Sequence, residues 1–555
     1  MVALTQQEIN ALYQSHKNIL VRVDLYQFFP QLNATDKFMK IDEVTGVVID
    51  GSVQEDADAD IRRTANLELF VTDSSFVLSS EVKVWLDKYL AIYLGYESQE
   101  TNETFMYPMG FFTINETDYS YSADDRTLRL SLADLVTTLD GSHSGALYGA
   151  QTVKLEADEL SIRAAMRHIV QDQGHWPFTE IDEIGPYQRE SIDNRIPYTI
   201  ELETGATVWD VVRELRDLYP GYECFFDIDG IFKCQRIPTC LHEPIMMNTE
   251  MMAPLVVAER SNTTDLTQIK NVIEVYGKDY DEVDHFSDDV TGTGGLYKAK
   301  FETFTKNAID DDTIFSFEPN HWNPGACQLQ VNDLAPVDIM MSVPNSPDKQ
   351  IPEGLIQAEM PIIVIYEKDP LSSARRFRYI GRTTVHAIKI LTGVQPRWMN
   401  GEIEMKQNIL KYNCHNISYA VNPDSPFTVE KVGERVMVCS GEEYDLIEDD
   451  WTAMQRAEYE LWKATNMQST LTLETMLIPW LQVNQKICYE SPLDKLERQE
   501  QGMKTDTDED CQYIIKRIDR SLSSGTMTMD LVRFYNEYPY IISTAKKVPN
   551  EEEVI

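Results

Sequence analysis

Basic residues are scarce in this chain. Lys and Arg together number 49 against 91 Asp and Glu, a formal net charge of -42 over 555 residues. Such a surface repels phosphate backbones, which argues against a nucleic-acid reader, and it repels anionic membranes. The plain consequence of the charge is solubility. Long apolar runs are also missing: none approaches the roughly 20 residues needed to span a bilayer. The first residues, Met1-Val2-Ala3-Leu4-Thr5-Gln6-Gln7-Glu8, lack the charged-then-apolar layout of a signal peptide. Folding in a cytoplasm, without a membrane anchor, is therefore expected. The eight cysteines fall between positions 224 and 511 with no CxxC pair, which indicates neither a zinc site nor a disulfide framework. Cys224 and Cys234 flank a hairpin turn at Asp229-Gly230. A disulfide there stays open, with two buried thiols the expected state in a reducing compartment.

Catalytic signatures are absent as well. The nine histidines form no HExxH and no His-Cys cluster, and no GxSxG, Walker A or GxGxxG motif occurs. Thr291-Gly292-Thr293-Gly294-Gly295 is glycine-rich, but it has no Lys and no strand-to-helix context, so it reads as a flexible loop. Asp56, Asp58 and Asp60 alternate and invite a calcium reading. An EF-hand loop needs Gly at its sixth position and Glu at its twelfth, where this chain has Ile61 and Leu67. Alternation also sets all three carboxylates on one strand face, which fits a solvated edge. Asp310-Asp311-Asp312 and Glu448-Asp449-Asp450 read as loop charge, the latter just before a helix. No catalytic, metal or cofactor residue is assigned, and no cofactor is expected.

What the chain does have is a repeated strand pattern. Asn66–Phe70, Trp85–Tyr93, Gly110–Ile114 and Thr127–Leu132 follow one another near the start. Thr470–Glu474, Trp480–Tyr489, Tyr513–Ile518 and Thr526–Leu531 repeat the order near the end. Leu128, Leu130 and Leu132 alternate with Arg129 and Ser131, one face apolar and the other polar. Trp85 and Trp480 hold equivalent places, which favours shared packing over sugar stacking. Two copies of one antiparallel barrel are expected, with residues 60–135 superposing on 470–534 and Met529 in the role of Leu130. Pseudo-equivalent surfaces let few subunits mimic a larger ring, so the pattern points to assembly.

The expected fold is mainly β with α+β parts: two related antiparallel β-barrels, a small α+β domain and an insertion domain. Residues 1–145 form the first barrel, with Asp50-Gly51-Ser52-Val53-Gln54-Glu55-Asp56 an acidic turn within it. Residues 146–255 form the α+β domain. Its second helix is capped by Thr207, carries Val208, Val211, Val212, Leu215 and Leu218, and stops at Tyr219-Pro220-Gly221. A hairpin then runs from Glu223 to Ile237. The second barrel takes 256–284 and 465–540, with Asn271–Gly277 as its first strand. Residues 285–464 are the insertion, with strands at Met360–Tyr366 and Phe377–Ile380. It ends in a helix with Thr452 and Gln455 in capping-box positions and a Met454, Ala457, Leu461 stripe. Residues 541–555 form a flexible tail.

This order of segments resembles the baseplate hub, or tail hub, proteins of tailed bacteriophages. The resemblance lies in Ile61-Arg62-Arg63-Thr64-Ala65-Asn66-Leu67, Trp85–Lys88, Tyr93–Tyr96, Tyr107–Phe112 and Ser131–Leu135. It continues in Asn271–Lys278, Ile478–Asn484 and Ser523–Met529, and leaves 285–450 poorly matched. It implies two barrels per chain and a homotrimer whose six barrels form a pseudo-sixfold collar. Such a collar joins a sixfold tail tube or distal tail protein to a threefold spike or fibre, among other baseplate proteins. It implies residence in the distal tail of a virion assembled in the host cytoplasm, with genomic DNA passing through without specific binding. An acid-rich channel lining is expected. The alternatives are a virion-associated glycan hydrolase, which needs paired carboxylates in a sugar-sized cleft, and a carbohydrate-binding tail-tip protein.

Overall fold

In the computed structural model the described residues lie between 5 and 533. Within that range they exclude 15–16, 29–37, 45–47, 72–82, 99–100, 122–125, 149–152, 157–159, 185–194, 197–199, 220, 239–242, 265–266, 281–282, 344–345, 352, 369–373, 382–383, 395–396, 400–401, 405–411, 414–416, 424, 442–443, 446, 466–468, 492–494 and 497–510. The expected tail, 541–555, lies outside the described residues.

The chain is mainly β, and its centre is one 13-stranded sheet. Seven strands come from the first 134 residues: β1 Lys17–Phe28, β2 Phe38–Glu43, β3 Val48–Asp56, β4 Arg63–Phe70, β5 Lys88–Ser98, β6 Thr104–Tyr121 and β7 Arg126–Asp134. Six come from later: β8 Ile245–Met247, β9 Val256–Thr264, β10 Ser469–Met476, β11 Lys486–Cys488, β12 Gln512–Ser521 and β13 Thr526–Arg533. The order is β9-β10-β13-β12-β3-β4-β7-β6-β5-β1-β2, with β11 beside β12 and β8 beside β11. The two sets of strands meet where β3 pairs antiparallel with β12.

Alternation drives these strands. Along β4, Ala65, Leu67 and Leu69 are buried while Asn66 and Phe70 are exposed. On β7, Leu128, Leu130 and Leu132 are buried while Arg129 and Ser131 face out. A one-residue slip would turn every one of these leucines to water, so the register is strongly specified. Both barrels feed one continuous apolar core, in which Leu67 and Leu130 join Leu473, Ile518 and Met529.

The expected acidic turn at Asp50–Asp56 is instead part of β3. Its composition suits a turn, but Val53 and Glu55 are buried and paired across to β12. Asn271–Gly277 also finds a different partner. That strand, Val272–Asp279, pairs with Thr384–Thr392 and with Val436–Cys439. Ile273 and Val275 then pack beneath the helix Asp450–Thr465, in a core with Ala453, Ala457 and Leu461. The strand that enters the second barrel is β9, and β8 precedes it from within the span assigned to the small domain.

The α+β unit has its own core around Val208, Val211, Val212 and Leu215. Its helix Val208–Asp217 begins with a capping box between Thr207 and Asp210. Tyr222–Phe226 and Phe232–Arg236 form the expected hairpin, with Cys224 opposite Cys234, and both thiols are buried and free. The insertion contains a nine-stranded sheet, in which Ile362–Lys368 pairs with Arg375–Gly381. The helix Asp450–Thr465 buries Met454, Ala457 and Leu461, but its cap is Asp449 rather than Thr452. The Thr452 N–H donates to Asp449 Oδ1 at 2.8 Å, which puts Thr452 inside the first turn.

Candidate functional site at the junction of the barrels

The two barrels repeat in their register, apart from one additional bulge at Arg260 of β9. Leu67 stands opposite Leu130, and Leu473 stands opposite Met529. Taking these pairs as equivalent superimposes the topology: β3, β4, β5, β6 and β7 correspond to β9, β10, β11, β12 and β13. The β6–β7 ladder skips Asn115 between Ile114 and Glu116. The β12–β13 ladder skips Lys516 between Ile515 and Arg517, at the same step. A second bulge is shared as well: β3 skips Ile49 and β9 skips Val257. Bulges bend a strand and increase its twist, so matched bulges give matched curvature. Trp85 and Trp480 each precede the corresponding strand. Trp480 is buried, with its ring 5.4 Å from that of Tyr107, while Trp85 is half-buried.

Where the copies meet, β3 lies along β12 with Gln54 opposite Asp519 and Glu55 opposite Ile518. The Gln54 amide donates to Asp519 Oδ2 at 2.9 Å. Beneath this pairing is a buried ionic network. Arg63 Nη2 lies 2.6 Å from Glu55 Oε1, and Arg520 Nη2 lies 3.3 Å from Glu55 Oε2. Arg520 also donates to the Leu481 carbonyl. Arg63 Nη1 donates to the Phe226 carbonyl at 2.6 Å, which ties in the small domain. Beside it, Arg62 donates to Glu223 at 2.5 Å and lies over the Phe225 ring at 3.6 Å. Asn484 of the second barrel donates to the same Glu223 carboxylate at 2.7 Å.

Arg62, Arg63, Arg520, Glu55 and Glu223 are all buried. Burial works against the charge of Glu55, yet Arg63 and Arg520 beside it bring its carboxyl below the ordinary value. Burial pushes Asp134 up to about 6, opposed by the Val136 and Arg63 amides it accepts from. A network of this kind loses several kcal/mol when one partner is removed, because a buried charge is left bare. Its chemistry is that of a three-way clamp between first barrel, small domain and second barrel.

A polar cleft of about 570 Å³ opens beside the clamp, lined in part by Asp58, Asp60, Arg216, Arg456 and Lys516. Asp56 ends β3, and Asp58 and Asp60 sit in the turn that follows it rather than on a strand face. Lys516 pairs with Asp58 at 3.1 Å, and Arg213 and Arg216 face Asp60 at 3.5 and 3.7 Å. These carboxylates therefore serve as ion-pair partners. Among the described residues, no group of three or more His, Cys, Asp or Glu is placed to hold a metal. Asp310 pairs with Lys306 and Asp311 with Arg375. His168 is exposed and bonded to Asp172 one turn on. The clamp residues carry no motif. Arg62 and Arg63 are adjacent in sequence, but Glu55, Glu223, Asn484 and Arg520 are brought to them only by folding.

Residues 424–538 match a family described as Domain of unknown function (DUF5048). No curated protein matches the chain. Among solved structures, the tail protein from Neisseria meningitidis MC58 is similar at 9% identity, over 94% of this chain and 98% of that one, with a TM-score of 0.42. The 43 kDa tail protein of prophage MuSo2 from Shewanella oneidensis is similar at 10% identity, over 92% and 98%, with a TM-score of 0.40. The half-lidded Francisella PdpA-VgrG complex is similar at 7% identity, over 96% of this chain and 61% of that one, with a TM-score of 0.39.

Proposed function

We propose that this chain is a structural adaptor of a phage-type tail. Three copies form a ring whose six barrels meet a sixfold tail tube or distal tail protein on one side. A threefold spike or fibre meets the other side, and DNA passes through the bore without specific contact. The observation that carries this reading is the duplication itself, down to two matched bulges and the Leu67–Leu130 and Leu473–Met529 pairs. A symmetry mismatch needs two pseudo-equivalent surfaces per subunit, and the chain has two copies of one barrel held in fixed relation by a buried clamp. The test is copy number in the intact particle, by quantitative mass spectrometry or imaging of the tail end. Three copies per ring are expected, and six would overturn the adaptor reading.

A further inference from the structure

The two barrels are equivalent in register but not in cover. In the second barrel the outer edge of β12 is occupied: Arg517–Ser521 pairs with β3. By the equivalence of Leu130 and Met529, Arg517 to Ser521 correspond to Glu116 to Ser120 of β6. There, among the described strands, β6 pairs with β7 on one side only, because the β5 ladder reaches no further than Thr113. The consequence shows in the side chains. Arg520 is 2% exposed, whereas Tyr119 at the same step is 54% exposed. Ile518 is fully buried, whereas Thr117 is half-buried. The complementary strand is open in the other barrel. β3 is held between β4 and β12, while its counterpart β9 pairs with β10 alone among the described strands.

Each chain thus contains one completed barrel-to-barrel seam and the two halves of a second one. An open strand edge is a template for another strand, and the seam inside the chain shows which strand of this fold suits that edge. We propose that β9 of one copy pairs antiparallel with the Glu116–Ser120 edge of β6 in a second copy of this chain. The pairing reproduces the β3–β12 seam between subunits. Transferring the register puts Ser261 opposite Ser120, Thr263 opposite Asp118, and Thr264 opposite Thr117, as Ser52, Gln54 and Glu55 stand opposite Ser521, Asp519 and Ile518. The seam is heterologous, so it leaves a further β6 edge and a further β9 free for the next copy. Repetition closes a ring when the rotation permits. The intersubunit seam also differs in one respect. Glu55 and Arg520, which form the clamp, are replaced by Thr264 and Tyr119, so it lacks the buried ion network and is the weaker of the two. This inference rests on the ring assembly proposed above and names its contact.

The experiment uses cysteine pairs in the full chain. Facing residues of an antiparallel pair have Cα atoms roughly 4.5–5.5 Å apart, within the range a disulfide bridges. The Gln54→Cys/Asp519→Cys variant should lock within one chain and is the internal standard. Asp118→Cys mixed with Thr263→Cys, oxidised at high protein concentration, should give covalent dimers of unlike chains. The double variant Asp118→Cys/Thr263→Cys should give covalent rings, while each single variant and the parent chain stay uncrosslinked. Sizing of the unoxidised protein and of assembled particles runs alongside. Oligomers that form without the Asp118–Thr263 crosslink overturn this register and leave the ring intact. Crosslinking of Thr263→Cys to Ile41→Cys on β2, the far end of the described sheet, does the same. A chain that stays monomeric under all conditions, including in the particle, overturns both readings.

Discussion

Asn115 and Lys516 are each the extra residue of a β-bulge at the same step of the same strand in two copies of one barrel. Each sits just after a buried or half-buried isoleucine, Ile114 or Ile515, and each is followed by a residue of the open or occupied edge. Leu130 and Met529 stand opposite Thr117 and Ile518, one ladder step beyond the first pair after the bulge, and both lie in one continuous core.

Because that core is continuous and β3 is stitched to β12, the barrels should unfold together. Leu130→Ala and Met529→Ala are each expected to cost about 2–5 kcal/mol and to shift the same cooperative transition. Met529→Asp should prevent folding of both barrels, since it puts an unpaired carboxylate where Met529 is fully buried. Urea unfolding followed by fluorescence and far-UV circular dichroism checks this. Two separate transitions, with Met529→Ala moving only one, would contradict it.

Glu55→Gln should destabilise the neutral-pH protein by about 3–5 kcal/mol, because Arg63 and Arg520 are left buried with one carboxylate fewer. The pH dependence follows from the lowered folded value of Glu55. Its contribution is present above the ordinary carboxyl value of 4.5 and is lost as pH falls through the lower folded value. Asp134 has the opposite sign: its raised value favours the folded state at low pH, and that advantage disappears as pH rises through about 6. The difference in melting temperature between parent and Glu55→Gln should therefore be largest at neutral pH and shrink below about pH 4.5. A difference that is constant from pH 4 to 8 would assign the clamp a purely steric role.

Gly95→Ala should loosen the β5–β6 hairpin. A Cβ at Gly95 would meet the Phe105 carbonyl oxygen at 1.8 Å and the Met106 Cα at 2.9 Å. Both are backbone atoms of the partner strand, so relief requires the strands to part. A cost of about 1–3 kcal/mol is expected, with faster amide exchange across Tyr93–Phe105. Unchanged stability would mean that the pairing there is looser than the register indicates.

Duplex DNA should not be retained by the purified protein even at low salt, about 50 mM, where attraction to phosphate is strongest. In an assembled ring, acids should outnumber Lys and Arg along the bore. Their repulsion reaches only about 8 Å at physiological salt, enough to centre a duplex without stopping it. Retention in a gel-shift experiment, or a basic belt around the bore, would point to DNA gripping.

Much of the architecture was legible from residue order alone. The alternation of Leu128, Leu130 and Leu132, the Thr207 cap and the Asp229-Gly230 hairpin signal each act over a few residues, and each appears as expected. Asp50–Asp56 misled because an acidic segment with a glycine suits a turn. Only the arrival of Arg63 and Arg520 lets Glu55 lie buried in a strand. Asp58 and Asp60 read as a solvated strand edge and instead lie in a turn, where their partners Lys516 and Arg216 come from far along the chain.

The sequence by itself determined the apolar face of strands such as Arg126–Asp134 and that one order of strands occurs twice, but it read Asp50–Asp56 as a turn and extended Lys486–Cys488 to Trp480–Tyr489. Hydrophobic period encodes a face, and local propensity encodes a conformation, so both are readable without a fold. Tertiary structure alone decided who lies beside whom. Asn271–Gly277 has the pattern of a barrel strand, yet it pairs with Thr384–Thr392, because alternation carries no label for its neighbour. The joining of both barrels through β3 and β12, and the clamp of Arg62, Arg63, Glu55, Glu223, Asn484 and Arg520, belong to the same class. Long-range pairing is settled by the collective burial of side chains distant in sequence, and no single segment records that sum.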